Sequence, residues 1–222
     1  MRLIPTVLRI VCILVIALLA LSGSSQAASF SARSPRNSGL LVIIDPGHGG
    51  KDPGAHSRLG LLEKKLALTI ATDLADSLLR QGAGVRVVMT RQSDRFVDLD
   101  RRVQLANDGH AALFVSIHCD SHPATAMRGY SILYARAGGT KSALAARTIA
   151  RRMTAAGLTQ RTVRRDYRGL EVLDGTAGPA VLIETGFLSN PREAARLSDP
   201  RYQHKLADAM AQGILDYLPK SR

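Results

Sequence analysis

Three segments that resemble buried β-strands run directly into side chains able to bind a metal or move a proton. LLVIID leads into a glycine-rich loop that contains His48, LFVSI is followed by His118, and AVLI is followed by Glu184. In open α/β folds the carboxyl ends of parallel strands meet at one end of the sheet, and ligands bind there. We therefore expect two imidazoles and one carboxylate to lie close together.

Two histidines in such a place are typical of a hydrolytic zinc site, which takes three protein ligands and keeps a fourth position for water. His48 and His118 are 70 positions apart, so only the tertiary fold can bring them together. Glu63, in the first turn of the first predicted helix, is the candidate third ligand. An acid there also suits a helix N-terminus, so its position alone leaves a plain capping role open.

Glu184 is the candidate catalytic carboxylate. It follows four apolar residues of a predicted buried strand, where a carboxylate is costly unless it is paired, ligated or functional. The histidines have structural alternatives, because His48 could be a solvated turn residue and His118 a core histidine at a strand end. The glycines around His48 favour a functional loop, since they let the backbone turn sharply beside a ligand.

The alternation of short apolar runs with longer stretches of helical period predicts an α/β scaffold for these residues. Strands are expected at 40–45, 85–90, 113–118, 130–135 and 180–185, and helices at 63–80, 98–108, 142–156 and 200–218. This pattern is typical of a mostly parallel open sheet with helices on both faces. A length of 222 residues suits a single domain.

The N-terminus resembles an export signal. It has a basic start, an apolar run from Ile10 to Leu21, and small residues up to Ala27. The run is shorter than the ~20 residues of a spanning helix, so residues 1–27 are expected to be a cleaved signal peptide, with an uncleaved anchor as the alternative. Residues 28–39 are rich in Ser and are expected to be a linker. The protein is then periplasmic or secreted.

The chain is strongly basic, with 30 Lys and Arg, 18 Asp and Glu, and a formal net charge of +12. Loss of a signal that holds Arg2 and Arg9 but no acid leaves +10. For an exported domain this charge favours an acidic wall polymer or a membrane surface over nucleic acid, and charge kept only for solubility stays open. Cys12 lies in the signal, so Cys119 is the single remaining cysteine and no internal disulfide is expected.

An ordered set of motifs resembles the zinc-dependent N-acetylmuramoyl-L-alanine amidase family. The motifs are DPGHGGKDPGA (45–55), Glu63, MTR (89–91), the LxxRxxxAN spacing from Leu99 to Asn107, FVSIHCD (114–120) and PAVLIETGFLSNPREAARL (179–197). The resemblance implies that Zn²⁺ is held by His48, Glu63 and His118. It also implies that Glu184 is the catalytic carboxylate and that residues 40–222 are the catalytic domain.

The family resemblance also implies a reaction, the hydrolysis of the amide between the lactyl group of N-acetylmuramic acid and the L-Ala of the stem peptide. The expected partner is peptidoglycan, whose stem-peptide carboxylates suit a basic surface. We expect a monomer that binds no nucleic acid and, after signal cleavage, no membrane. Two other functions stay open: a zinc-dependent cell-wall carboxypeptidase or exopeptidase, and a non-catalytic peptidoglycan-binding module, which would not need Glu184.

Cys119 departs from the family pattern after the SIH motif. Neighbouring strand residues point to opposite faces, so we expect Cys119 in the core while His118 faces the site. His56 and His122 are expected to line the cleft without binding metal.

Some proteins that resemble this family carry an inserted helix that plugs the zinc cleft after the strand at 130–135. Here only six residues, 136–141, precede the next predicted helix, and two of them are Gly. Such a segment is too short for a plug. We therefore expect an open site that needs no activator protein.

Overall fold

The computed structural model describes residues 39–136 and 138–219. The predicted signal peptide lies outside them, as does the predicted linker apart from Gly39. The strands are β1 (Leu40–Pro46), β2 (Val85–Met89), β3 (Leu113–Asp120), β4 (Tyr130–Tyr134), β5 (Gln160–Arg165) and β6 (Ala180–Phe187). The helices are α1 (Glu63–Gln81), α2 (Leu99–Asp108), α3 (Gly139–Ala155), α4 (Glu171–Asp174), α5 (Pro191–Leu197) and α6 (Pro200–Tyr217). None of the helices in this part of the chain is long and apolar enough to cross a membrane.

The strands form one sheet in the order β2-β1-β3-β6-β4-β5. The first four strands in this order are parallel to one another, β4 is antiparallel to β6, and β5 is parallel to β4. The predicted mostly parallel sheet is therefore confirmed. We call the end at which β1, β2, β3 and β6 finish the carboxyl end of the sheet. Because β4 is reversed, it begins at this end.

Helices cover both faces of the sheet, as predicted. Val115 of β3 and Ile183 of β6 belong to the apolar core shared with α1, α3 and α6, whereas Phe114 and Leu182 belong to the core shared with α2 and α4. Side chains alternate between the two faces of a strand. His118 and Glu184 are even-numbered positions like Phe114 and Leu182, so they point to the face covered by α2 and α4.

Four elements differ from the sequence prediction. β5, α4 and α5 were not expected, and α3 begins at Gly139, three residues earlier than predicted. β5 has the sequence QRTVRR and is partly or fully exposed along its length. A polar strand at the edge of the sheet lacks the apolar run that identifies a buried strand. The two helices have only four and seven residues, too few to display a helical period.

Candidate metal centre

His48 lies in the loop that follows β1 at the carboxyl end of the sheet. Its φ of 58° is in the left-handed region, as are those of Gly49 and Gly50 at 123° and 56°. Positive φ is uncommon for a residue with a side chain, so contacts from the surrounding structure must hold this loop in place.

Arg91, which follows β2, is one of two buried arginines that supply such contacts. Its Nε donates to the carbonyl of Pro46 at 3.0 Å, and its Nη2 donates to the carbonyls of Gly47 at 2.6 Å and Lys64 at 2.8 Å. The guanidinium therefore joins the His48 loop to the first turn of α1. This explains the MTR motif, to which the sequence alone assigned no role.

Arg102 of α2 is the second arginine. It donates to the carbonyls of Pro46 and His48, both at 2.8 Å, and to that of Val97 at 2.9 Å. Its Nη1 also forms a buried ion pair with Asp45 Oδ1 at 2.7 Å. The arginine of the LxxRxxxAN motif thus fixes the backbone on both sides of the loop histidine.

His48, Glu63 and His118 converge on one point. Glu63 Oε1 lies 3.0 Å from His48 Nε2 and 2.9 Å from His118 Nδ1. One potential ligand atom from each residue lies within 4.8 Å of the other two. The structure therefore brings together the three residues that the sequence nominated, and their role as metal ligands stays a prediction.

Two glycines allow this close approach. A Cβ atom on Gly47 would collide with the imidazole of His118. A Cβ atom on Gly54 would lie 2.6 Å from Glu63 Oε2 and 2.7 Å from His48 Cδ2. The backbone can pass beside the three side chains only where there is no Cβ.

Further hydrogen bonds orient these side chains. Asp52 Oδ2 lies 2.7 Å from His48 Nδ1, which leaves the other ring nitrogen directed at Glu63. Glu63 in turn accepts from the backbone N–H groups of Ala55 at 2.8 Å and Cys119 at 3.0 Å. A carboxylate behind a metal-binding histidine is a common supporting arrangement. Sequence reasoning missed Asp52, although its position four residues after His48 within the DPGHGGKDPGA motif was a usable signal.

The electrostatics of the group favour a cation. Burial by itself would raise the pKa of Glu63, but the hydrogen bonds and positive charge of His118 and His48 outweigh it and hold this pKa well below its usual value. Burial would lower the pKa of His48, yet Glu63 and Asp52 raise it to about 9. The pKa of His118 is raised against burial in the same way, chiefly by its hydrogen bond to Glu63. Two imidazole nitrogens and one carboxylate are ligand types that Zn²⁺ takes in hydrolytic sites, so these residues fit zinc.

Glu184 lies beside this group. It pairs with His118 across β3 and β6 and points to the same face of the sheet. Its Oε2 atom is buried and has no hydrogen-bonding partner among the residues that the structure describes. Burial raises the pKa of Glu184 to about 7, with His118 opposing the rise and Asp120 and Glu63 adding to it. A buried polar atom without a partner is rare and calls for a functional explanation.

A cavity of about 390 Å³ opens beside the histidines. His48, His118, Asp52 and the Asp45–Arg102 pair line one side of it. The rest of its wall is mainly apolar and consists of Phe96, Val97, Leu99, Leu170, Val172 and Leu182. The site therefore combines a compact polar group with an open apolar compartment.

The remaining histidines and the cysteine lie outside the group. Cys119 is 1% exposed, belongs to the core on the opposite face, and has its Sγ 3.2 Å from Thr185 Oγ1, so the prediction of a core cysteine is confirmed. Burial also raises the pKa of its thiol. His56 and His122 are exposed and, contrary to expectation, neither lines the cavity beside His48.

Comparison with known proteins agrees with this architecture. Residues 42–216 match the family described as N-acetylmuramoyl-L-alanine amidase. The germination-specific N-acetylmuramoyl-L-alanine amidase of Bacillus subtilis (strain 168) is 37% identical over 198 residues, which cover 81% of this chain and 80% of the relative.

Solved structures give the same result. The N-acetylmuramoyl-L-alanine amidase from Clostridium difficile 630 is 33% identical, with a TM-score of 0.75 over 81% of this chain and 97% of that one. AmiC2 of Nostoc punctiforme, another such amidase, is 37% identical, with a TM-score of 0.71 over 80% and 96%. The predicted family and the α/β fold are thereby confirmed, and the chain belongs to the N-acetylmuramoyl-L-alanine amidase family.

Proposed function

We propose that this amidase is zinc-dependent, that His48, Glu63 and His118 hold the metal, and that Glu184 moves the protons of the reaction. The bond cleaved is the amide between the lactyl group of N-acetylmuramic acid and the L-Ala of the peptidoglycan stem peptide. The observation that carries the proposal is Glu184 Oε2, a buried carboxylate oxygen without a described partner, in register with one of the candidate ligands.

The three ligand residues and their supports provide a preorganised site. Bound zinc would acidify a water molecule and polarise the scissile carbonyl. Asp52 fixes the ring of His48, and the backbone N–H groups of Ala55 and Cys119 fix the carboxylate of Glu63. The three side chains proposed as ligands therefore need little rearrangement to bind the metal.

Glu184 supplies the acid–base chemistry. Its carboxylate accepts a proton from the attacking water and returns it to the nitrogen of L-Ala as the C–N bond breaks, which yields a lactyl carboxylate and a free amine. Burial raises the pKa of this carboxyl group above its usual value, which favours its taking up and returning a proton.

The alternatives fit these observations less well. A wall-binding module would keep the buried, unpaired Oε2 atom of Glu184 at a cost in stability without using it. A carboxypeptidase or exopeptidase would use the same zinc chemistry but cleave within the peptide. Membership of the N-acetylmuramoyl-L-alanine amidase family favours the bond next to the sugar.

Mass spectrometry of purified peptidoglycan after digestion identifies the bond. We expect released stem peptides that begin with L-Ala and glycan strands that keep the lactyl group. Fragments cut between two amino acids of the stem would instead indicate the peptidase, and absence of any cleavage by the zinc-loaded protein would favour the binding module.

Two variants separate metal binding from chemistry. His48→Ala should lose tight zinc binding in metal analysis, whereas His204→Ala, a change at an exposed histidine of α6, should keep it. Glu184→Gln should keep zinc and lose hydrolysis, because the amide preserves the shape of the side chain but cannot accept the proton. Asp76→Asn makes the same chemical change at an exposed carboxylate of α1 and should remain active. Residual activity of Glu184→Gln near that of the parent would make Glu184 a structural residue.

Export belongs to the same proposal. Residues 1–27 act as a cleaved signal, residues 28–39 link it to the catalytic domain, and the mature monomer meets peptidoglycan in the periplasm or the medium. N-terminal sequencing of the protein recovered outside the cytoplasm tests this, with a start at residue 28 or 29 expected. An intact N-terminus on membrane-bound protein would indicate an anchor.

A further inference from the structure

We propose that the cavity beside His48 binds the muramic acid sugar of the substrate, with the ring of Phe96 as its stacking surface. This inference rests on the proposed function and adds the direction in which the substrate lies across the site. The carboxyl end of the sheet offers two cavities of contrasting character, and the two halves of the substrate differ in the same way.

The two halves of the substrate differ in charge. Before cleavage the lactyl carboxyl group is part of the scissile amide, so the sugar side carries no charge. A pyranose ring has apolar C–H faces and polar hydroxyl groups around its edge. The stem peptide beyond L-Ala carries free carboxylates. A site that distinguishes the two halves needs an apolar wall on one side and cations on the other.

The cavity beside His48 suits the uncharged half. Its wall beyond the metal group is mainly apolar. Arg102, the one Lys or Arg side chain that lines it, is 2.7 Å from Asp45 and donates its other hydrogen bonds to backbone carbonyls. Glu171 adds an exposed carboxylate that can accept from sugar hydroxyl groups but would repel a stem peptide. The volume of about 390 Å³ is near the lower end of the ~300–1,000 Å³ of small-molecule pockets, which suits one sugar residue.

The segment that carries Phe96 is attached to the loop that carries His48. Asp94, two residues before Phe96, accepts from the backbone N–H of Gly50 at 2.8 Å and is ion-paired with Lys64 at 2.8 Å. A Cβ atom on Gly50 would lie 2.6 Å from the backbone nitrogen of Phe96, so the two segments are in direct contact. The position of the aromatic ring is therefore coupled to the loop that carries His48.

The ring of Phe96 is available to a ligand. It is 38% exposed and lines the cavity together with Leu99, which is 47% exposed. Lys51, whose Nζ lies 4.3 Å from the ring centroid, is not among the residues that line the cavity. Exposed apolar side chains that share a concave surface next to a catalytic group are typical of a ligand site.

The charged half of the substrate has a matching surface at the same end of the sheet. A second cavity, of about 460 Å³, is lined by side chains from the segments 125–128 and 190–196, among them Arg128, Arg192 and Arg196. Its one carboxylate, Glu193, is buried and accepts from backbone N–H groups. These segments follow β3 and β6 beyond His118 and Glu184, so the stem peptide can extend from the scissile bond toward the arginines.

The experiment compares two soluble substrates with the same amide and stem peptide, one N-acetylmuramoyl and one D-lactoyl without the sugar. Phe96→Ala should lower kcat/KM about tenfold for the muramoyl substrate, mainly through KM, which corresponds to ~1.4 kcal/mol of binding. The lactoyl substrate should lose less than about twofold, since no sugar contact remains to be removed. Phe96→Tyr should restore the parent's preference, and Leu144→Ala, at an exposed leucine of α3, should leave it unchanged.

Equal losses on both substrates, or no loss on either, would overturn the sugar site. Calorimetric titration of both compounds into zinc-loaded Glu184→Gln protein, with and without Phe96→Ala, decides the question without turnover. If the parent hydrolyses neither substrate but Phe96→Ala still weakens binding of only the muramoyl compound, the proposed reaction fails and the sugar site stands. Binding of the two compounds with equal affinity would refute the sugar site by itself.

Discussion

Replacement of Arg102 by Met tests whether a buried guanidinium holds the histidine loop in place. The side chain is 3% exposed and donates four hydrogen bonds, to Asp45 Oδ1 and to the carbonyls of Pro46, His48 and Val97. Methionine is unbranched and of similar reach, so the substitution removes the charge and all four donors while still filling much of the space.

The expected loss is large because Asp45 is left without its ion-pair partner. Asp45 keeps hydrogen bonds from Thr90 Oγ1 at 2.6 Å and Ser116 Oγ at 2.8 Å, and its carboxylate stays buried without the guanidinium beside it. Breaking one side of a buried ion pair costs about 3–5 kcal/mol. We expect the free energy of unfolding to fall by this amount, which is a substantial part of the ~5–15 kcal/mol of a typical domain. Zinc affinity should fall with it, because the carbonyl of His48 loses its anchor.

Urea unfolding of the metal-free protein and zinc titration against a chromophoric chelator measure the two effects. Arg101→Met, at the neighbouring exposed arginine, is the matched control and should change little. The double variant Asp45→Asn/Arg102→Met should lose less than the sum of the single changes, since it leaves no isolated charge. If Arg102→Met unfolds within about 0.5 kcal/mol of the Arg101→Met control and binds zinc equally well, the guanidinium does not position the loop.

Three further predictions follow from the site. Gly47→Ala should weaken zinc binding in the same competition assay, because the new methyl group displaces the His118 ring, while far-UV circular dichroism stays unchanged. Unchanged zinc affinity would mean that the His118 ring can move aside and still bind the metal. Cys119 should resist a thiol reagent in the native protein and react on unfolding, because it is buried and its pKa is raised; rapid native labelling would contradict the core assignment. The zinc-loaded mature protein should release stem peptides from purified peptidoglycan without a second protein, and dependence on an added activator would show that some segment covers the cleft.

The strongly patterned parts of the fold were predictable. Runs such as LLVIID and AVLIET are apolar because β1 and β6 are covered on both faces, and five of the six strands in the described part of the chain carry this signal. The reversed direction of β4 was not predictable, since YSILY has the same pattern in either orientation. The direction of β4 depends on its antiparallel pairing with β6, in which Ser131 lies opposite Glu184. This pairing exists only once the sheet has assembled.

Within the site, the sequence indicated the residues that end strands or begin a helix. His118 and Glu184 were identifiable because a polar side chain directly after an apolar strand is costly to bury unless it is paired, ligated or functional. The roles of Arg91 and Arg102 were not, since their partners are backbone carbonyls, which no residue pattern reveals. Phe96 lies outside every predicted element, and only the tertiary packing places it beside His48.

The parallel arrangement of β1 with β3 and β6 also decides where other polypeptides can be attached to this enzyme. β1 starts at the end of the sheet opposite the metal group, where Leu40 N donates to Gly84 O. α6 finishes in the same region, because Leu215 packs against Gly82 just ahead of β2. Residues 39 and 219 therefore lie on the side away from the substrate. A binding module, a surface anchor or a purification tag fused at either point leaves the cleft free, and the two points are natural places to join for a circularly permuted enzyme.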